Sequence, residues 1–100
     1  MDLPPNLPSK PTQINDQTVF VDALAACVPN RRWKWSESAH LTSCDLDALH
    51  AFALRIGLKR TWFQNDRRCP HYDLTRGANA RAIAAGAVEL DRRGMFEMIR

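Results

Sequence analysis

Residues 67–75, RRCPHYDLT, place two arginines, a cysteine, a histidine, a tyrosine and an aspartate around one proline. Paired arginines suit phosphate because each guanidinium presents a planar fork of N–H donors. A histidine can act as a general acid or base near neutral pH, and a neighbouring carboxylate can orient its ring. This stretch is therefore a candidate site for a phosphorylated ligand.

Each residue type in and near this stretch has a predicted role. The arginines would hold phosphate, a histidine and a tyrosine would contact a base or sugar, and an aspartate would orient the histidine. The predicted ligand-binding residues are Arg67, Arg68, Arg76, His71, Tyr72, Asp73 and His40. The structural alternative is that Asp73 or Thr75 only caps the next helix and that Pro70 only shapes the turn.

Catalysis is left open by the sequence. For an enzyme acting on phosphate esters, Asp22 and Asp73 could hold Mg²⁺, or His71 could serve as general acid or base. His50 falls within the apolar arc of a predicted helix, so a core histidine is the structural interpretation. An unpaired His50 in a pocket would instead be a third catalytic candidate.

Metal sites with standard spacing are missing from the sequence. The three histidines contain no i, i+4 pair, so a metal site would require the fold to bring distant residues together. We predict no metal ligands and no cofactor, with Mg²⁺ as the alternative. The three cysteines form no CxxC pair, which favours reduced thiols over a disulfide framework or a cysteine-rich zinc site.

Tryptophans alternate with basic residues in the segment RRWKW, residues 31–35. One interpretation is a half-buried edge strand with Trp33 and Trp35 facing inward. The other is a surface on which nucleic-acid bases stack while the cations bind phosphates.

The elements that must position these residues follow from hydrophobic periodicity and cap signals. Strands are predicted at 18–22, 38–43, 61–64 and 87–90, and residues 65–73 are predicted as a loop. One helix ends before Gly57 with Thr42 or Ser43 as its N-cap, a second covers 75–85 before Gly86, and a short one covers 91–100. Residues 23–37 stay unassigned.

Alternating strands and helices favour an α/β fold with about four mostly parallel strands and two to three helices. An α+β fold with one antiparallel strand is the alternative. In a parallel sheet the strands would deliver their polar ends to one carboxyl edge, where ligands bind. The start of the second helix would favour an anion there.

Size and composition place the chain among small soluble proteins. One hundred residues fit one domain, predicted over 18–100 and preceded by a Pro-rich extended arm over 1–17. The net charge of +3, with arginine the main cation, permits an anionic partner. The sequence shows no signal-peptide pattern and no membrane span, so we predict a cytoplasmic protein without a membrane partner.

Two runs resemble a known family. HLTSCDLDALHAFALRIGLKRTWFQ and PHYDLTRGANARAIAAGAVEL are similar to the bacterial and phage family Domain of Unknown Function 4031 over about residues 38–90, and the VFVD stretch also fits. The Pro-rich arm and the RRWKW region depart from the family pattern. The family pattern falls on His40, His50, Trp62, Gln64, His71, Tyr72, Asp73 and Arg81. The resemblance implies a bacterial or phage setting and supplies no function.

Three functional hypotheses result. The leading one is binding of a phosphorylated ligand, a nucleotide or a nucleic-acid backbone, at the carboxyl edge of the sheet. The second is a metal-dependent or histidine-assisted phosphoesterase. The third is a protein-interaction module that uses the arm and RRWKW, such as a phage inhibitor of a host defence protein.

Overall fold

Six strands and two α-helices make up most of the part of the chain that the structure, a computed structural model, describes, residues 15–91 and 93–95. The α-helices are α1 (Leu46–Arg55) and α2 (Arg76–Ala84), with a 3-10 turn at Arg60–Trp62 and helical residues at 93–95. The strands are β1 (Val19–Asp22), β2 (Ala25–Ala26), β3 (Glu37–Ser43), β4 (Phe63–Gln64), β5 (His71–Leu74) and β6 (Val88–Leu90). The predicted Pro-rich arm lies outside the described residues up to position 14, as do residues 92 and 96–100 of the predicted terminal helix.

The sheet is mixed and mostly antiparallel, with the order β4-β5-β3-β1-β6 and with β2 also paired to β3. Only β1 and β6 pair in parallel among the described strands. The predicted four-stranded, mostly parallel sheet is therefore wrong, although the chain does mix helices with a sheet in one small domain. The reason is that no helix intervenes between β1 and β3, so the chain returns as a hairpin and the two strands pair antiparallel.

A change of register marks the hairpin directly after Asp22. Val21 lies opposite Leu41, whereas Ala25 lies opposite Ser38. Between these two pairs, the chain that joins β1 to β2 therefore has one more residue than the facing part of β3. Such a bulge bends a strand and increases its twist, and bulges are frequent next to functional sites. Beyond β2 the hairpin continues to its tip, residues 31–35, where the Asn30 N–H donates to the Trp33 carbonyl at 2.8 Å.

Strand β5 lies in the segment predicted as a loop. The sequence His-Tyr-Asp-Leu alternates polar and apolar residues, and the structure buries Tyr72 and Leu74 completely while leaving His71 and Asp73 partly exposed. This alternation is the signal of a half-buried strand. The strand predicted at 61–64 is reduced to two paired residues, because residues 60–62 form the 3-10 turn.

The core lies between one face of the sheet and both α-helices. Alternate residues of β1, β3 and β5 point into it together with apolar residues of α1 and α2, which is the pattern of a two-layer domain. Its fully buried members include Val21, Ala39, Leu41, Leu49, Tyr72, Leu74 and Ala82. The residues between them on each strand, such as Asp22, His40, His71 and Asp73, therefore point to the opposite face of the sheet.

Both predicted glycine stops are present. Gly57 and Gly86 follow the ends of α1 and α2 with φ of 88° and 103°, in the left-handed region that favours glycine. The N-cap of α1 is Asp45, which accepts from the Ala48 N–H, and not the predicted Thr42 or Ser43. Ser43 instead donates its hydroxyl to the Thr18 carbonyl at 2.7 Å, because β3 continues through this residue.

Thr75 caps α2, as one of the two sequence alternatives states, through a 3.2 Å bond from the Ala78 N–H to its hydroxyl. We expect Thr75→Ala to lower the free energy of unfolding by about 1 kcal/mol, because that N–H loses its acceptor. Thr75→Ser keeps the hydroxyl and should retain most of the stability. Urea titration checks this, with an unchanged m-value showing that only stability changed. Equal losses in both variants would contradict the capping role.

Candidate metal centre

A row of polar side chains crosses the face of the sheet that α1 and α2 leave uncovered. Strand pairing places His40 opposite Asp73, and the antiparallel register of β1 and β3 brings Asp22 beside His40 on the other side. His71 lies two residues before Asp73 in β5, so both point to this face. Gln64 of β4 lies opposite His71 and completes the row.

Asp22 holds His40 through both of its carboxylate oxygens. Oδ2 lies 2.8 Å from the His40 Nδ1, and Oδ1 accepts from the His40 backbone N–H at 2.6 Å. A carboxylate only accepts, so the His40 Nδ1 carries the proton. The Asn79 side chain of α2 donates to the Asp22 carbonyl at 3.0 Å and ties this point of β1 to the helix layer. As a result, the His40 Nε2 presents its lone pair, 3.8 Å from the Asp73 Oδ1.

His71 is held in the same way by the backbone. Its Nδ1 lies 2.7 Å from the Cys69 carbonyl, which also can only accept, so Nδ1 is again the donor. The Thr42 hydroxyl donates to the Pro70 carbonyl at 2.7 Å and fixes the turn that delivers His71. The His71 Nε2 then faces the Asp73 Oδ1 at 3.4 Å.

Asp73 is the point at which both imidazoles converge. Its Oδ1 faces the two Nε2 atoms, and its Oδ2 accepts from the Gln64 side chain at 3.1 Å. About a quarter of its side chain is exposed, against 17% for His71 and 45% for His40. The group is thus supported from the sheet side and open to solvent on the other.

Two imidazole nitrogens and one carboxylate oxygen form a donor set for a divalent transition metal ion. One ligand atom from each of His40, His71 and Asp73 lies within 4.8 Å of the others, and no other group of three such residues is found in the described part of the chain. Two ligands about 2.1 Å from one ion are at most about 4.2 Å apart, so binding would draw these atoms slightly together. The Asp22 carboxylate and the Cys69 carbonyl, which accept from the two Nδ1 atoms, are of the kind of outer-shell partner that orients metal-binding histidines.

Charge within the cluster favours a protonated His71 beside an ionised Asp73. Burial opposes the charge on His71, but its hydrogen bonds to Asp73 and to the Cys69 carbonyl outweigh that effect and raise its pKa above the ordinary value. The hydrogen bond from His71 lowers the pKa of Asp73, because it outweighs burial, which alone would raise that pKa. A metal ion must displace the proton from His71, so acidification should weaken metal binding.

Cys69 lies near this cluster without joining it. Burial is the main cause that raises the pKa of its thiol, and the negative charges of Asp66 and Asp22 add to the effect. The neutral thiol is a weak ligand and a weak nucleophile. The described cysteines, Cys27, Cys44 and Cys69, are all free thiols, as the sequence predicts.

The structure brings Tyr72 and His50 together on the opposite, helix-covered face. The Tyr72 hydroxyl lies 2.8 Å from the His50 Nδ1, and burial lowers the pKa of His50. Tyr72 is fully buried although its neighbours in sequence, His71 and Asp73, belong to the cluster. Neither residue therefore shares a sheet face with His40 and His71. This placement gives no support to Tyr72 as a ligand contact, or to His50 as a catalytic residue or as part of the floor of the site.

The predicted phosphate-binding arginines lie at different places. Arg76, at the start of α2, forms a two-pronged ion pair with Glu37, with both N–O distances at 2.9 Å. Arg67 and Arg68 are exposed in the loop before β5, where the Arg68 backbone N–H donates to Asp66. Asp66 is close enough to influence the pKa of His71, so this loop borders the cluster.

The cluster unites four residues that the sequence singled out, Asp22, His40, His71 and Asp73, of which only Asp22 and Asp73 were proposed as metal ligands, for Mg²⁺. His71 and Asp73 share a local signal, since positions two apart in a strand lie on one face. His40 is joined to them only by the pairing of β3 with β5. Gln64 was marked by the family resemblance and given no role.

Comparison with known proteins identifies the family. A search of the curated proteins and a search of the solved structures each gave no significant match. In the described part of the chain, no helix has the length and apolar character needed to cross a membrane. A family described as a protein of unknown function, DUF4031, matches residues 19–100, which include every member of the cluster. The chain therefore belongs to the DUF4031 family.

Proposed function

We propose that this domain binds a divalent transition metal ion through His40, His71 and Asp73 and hydrolyses phosphate esters with it. The observation that carries the proposal is the convergence of two Nε2 atoms on the Asp73 Oδ1 while both Nδ1 atoms are held elsewhere. Bonds of this kind fix the orientation of each imidazole ring before any ion arrives.

The donor set favours some ions over others. Imidazole suits zinc, copper, iron or nickel, and a carboxylate also suits manganese, whereas Mg²⁺ prefers oxygen ligands and retains several waters. Asp22, the predicted Mg²⁺ partner of Asp73, uses both carboxylate oxygens on His40. We therefore favour a transition metal ion over Mg²⁺ and assign Asp22 to positioning His40.

Hydrolysis fits the openness of the site. A bound ion of this type lowers the pKa of a coordinated water and offsets charge on a phosphate. Three protein ligands leave coordination positions vacant for water and substrate. His40 is nearly half exposed, so a phosphate ester can reach the Nε2 side of the cluster from solvent. Gln64 keeps the second oxygen of Asp73 hydrogen-bonded and so fixes the carboxylate.

Binding of a phosphorylated ligand without turnover is the second candidate. A strongly cationic groove that reaches Asp73 favours it, with Arg31, Arg32 and Lys34 among its lining residues. The Arg67–Arg68 loop beside the cluster could add phosphate contacts. This candidate uses the groove and shares Asp73 with the cluster but needs no activated water, so a turnover assay separates the two.

Hydrolysis of bis(p-nitrophenyl) phosphate tests the proposed function. Protein stripped with a chelator is assayed alone and after addition of Mn²⁺, Zn²⁺ or Mg²⁺. We expect turnover only with added metal, and a loss of about a hundredfold or more in Asp73→Asn, because loss of an outer-shell partner alone costs 10 to 100-fold. His50→Ala changes a histidine on the other face and should keep the activity. Binding of metal by titration calorimetry without any turnover would leave only the second candidate.

A further inference from the structure

A groove of about 810 Å³ lies between the tip of the β2–β3 hairpin and the segment 57–64. The hairpin contributes residues 31–35, the segment contributes Trp62 and Gln64, and the start of α2 closes one side. Asp73 also lines the groove, and Gln64 donates to it. One of the candidate metal ligands therefore forms part of the groove lining.

The groove is strongly cationic. Its basic lining residues are Arg31, Arg32, Lys34 and Arg81, and Asp73 is the one acidic lining residue in the described part of the chain. Neither Arg31, Arg32 nor Lys34 lies within ion-pair distance of a described carboxylate, whereas Arg76 is neutralised by Glu37. Three unpaired cations on one short loop are a site for a polyanion, since each can contact a phosphate.

Two tryptophans beside these cations remain about half exposed. Trp35 is 46% exposed and Trp62 is 50% exposed, which is unusual for so large an apolar side chain. Lys34 lies over the Trp35 ring at 4.8 Å, and Lys59 lies over the Trp62 ring at 5.6 Å. Trp33 is different, because its indole N–H is bonded to the Glu37 carbonyl and anchors the loop. The hairpin and the 3-10 turn thus each present a half-exposed indole ring, Trp35 and Trp62, with a lysine ammonium over it.

We propose that this groove binds single-stranded nucleic acid, with bases stacked on Trp35 and Trp62 and the phosphate backbone on Arg31, Arg32 and Lys34. Aromatic rings alternating with cations are the features that bind unpaired strands, whose bases are free to stack on protein. In a duplex the bases already stack on one another, so the tryptophans would gain no such partner. The inference deepens the proposed function, on which it rests for cleavage, by naming the substrate class: a phosphodiester led along the groove to Asp73.

Fluorescence polarisation with labelled oligonucleotides of about 12 nucleotides, within the usual site sizes, measures the binding step. The probes are a single DNA strand, the same sequence as RNA and the matched DNA duplex. EDTA is present throughout, so no cleavage occurs. The affinities for the three probes are therefore all measured with metal-free protein. We expect single strands to bind at least tenfold more tightly than the duplex, with affinity falling as salt rises. Equal or tighter binding of the duplex would overturn the inference.

Trp62→Ala and Trp35→Ala should each weaken single-strand binding by roughly tenfold, whereas Trp62→Phe should retain most of it through its ring. Arg32→Glu should weaken binding and reduce the dependence on salt, and Arg55→Glu is the matched control on α1, away from the groove lining. Because Arg32 is exposed, its variant tests the groove even if a tryptophan variant fails to fold. Unchanged affinity in Arg32→Glu and in the folded tryptophan variants would refute the assignment, as would preferential binding of an acidic peptide.

The two proposals fail in different ways. If the metal site is wrong, the oligonucleotide still binds in EDTA but is not cleaved when Mn²⁺ or Zn²⁺ is added. If the groove assignment is wrong, bis(p-nitrophenyl) phosphate is still hydrolysed, but the oligonucleotide neither binds nor competes with it. Asp73→Asn should abolish cleavage without weakening oligonucleotide binding, because it removes a negative charge from the groove and no cation.

Discussion

His71→Ala is expected to abolish stabilisation of the domain by Zn²⁺ or Mn²⁺. In the wild-type protein, an ion at about 100 times its dissociation constant should stabilise the fold by about 2.7 kcal/mol. For a domain of this size, such a gain corresponds to a rise in Tm of roughly 10 to 20 °C. The variant keeps only His40 and Asp73 of the three ligands. We expect its Tm to change by less than about 2 °C on addition of metal, because one ligand from each of two strands no longer encloses an ion.

His50→Ala is the matched control for this experiment. It removes the same side chain from the helix-covered face, where His50 is bonded to Tyr72. Its Tm without metal should fall, since the buried Tyr72 hydroxyl loses its partner, but the rise produced by metal should equal that of the wild type. A metal-induced rise that survives in His71→Ala would show that the ion binds elsewhere, and an equal loss in both variants would indicate a non-specific effect of histidine removal.

Hydrophobic periodicity was sufficient to locate most of the elements. α1 follows from its apolar arc and its glycine stop, α2 follows from its alanine-rich run and its glycine stop, and β1, β3 and β6 follow from short runs of β-formers or alternating residues. Strand direction could not be predicted in this way, since the same alternation of polar and apolar residues occurs in parallel and antiparallel strands. The decisive fact is the absence of a helix between β1 and β3, in a segment that the sequence left unassigned. Because of that connection, the polar residues lie on the sheet face opposite α1 and α2 and not at a carboxyl edge.

The motif His-Tyr-Asp at residues 71–73 illustrates why the site was only partly predictable. Its residues are adjacent in sequence, and a loop would let all three meet one ligand. As a strand, it sends His71 and Asp73 to one face and Tyr72 to the other, where Tyr72 is fully buried. The sequence therefore singled out positions 71 and 73, whose side chains the fold brings together, but assigned Tyr72 to the same ligand. Only the strand assignment separates the two environments.

Placement on strands also gives the cluster a rigid base. His40, His71 and Asp73 come from two adjacent central strands, and each is fixed by a bond to a group outside the donor set. Sites built on strands hold their geometry better than sites on loops, where side chains must be ordered by the ligand. The exposed loop before β5, which carries Arg67 and Arg68, can adapt to a substrate while the ligands stay in position.

Asp22→Asn tests whether the fold orients His40 for metal binding. In the wild type the Asp22 carboxylate accepts from the His40 Nδ1, so Nε2 is the free lone pair. An asparagine can still accept from the His40 backbone N–H through its oxygen, but its amide then donates toward the ring. Nδ1 must then accept a hydrogen bond instead of donating one. The ring proton therefore moves to Nε2, the atom whose lone pair the metal needs. An aspartate-to-asparagine change acts in the same way on the catalytic histidine of serine proteases.

We expect Asp22→Asn to weaken Zn²⁺ or Mn²⁺ binding by about 10 to 100-fold, or about 1.4 to 2.8 kcal/mol, as measured by titration calorimetry. The nitrogen chemical shifts of the His40 ring in metal-free protein should report a change from the Nδ1–H to the Nε2–H tautomer. Those of His71, held by the Cys69 carbonyl, should not change. A purely structural role for Asp22 would lower stability without reversing the tautomer. Metal affinity equal to that of the wild type, together with a reversed tautomer, would mean that His40 is not a ligand and that the ion, if bound, relies on His71 and Asp73.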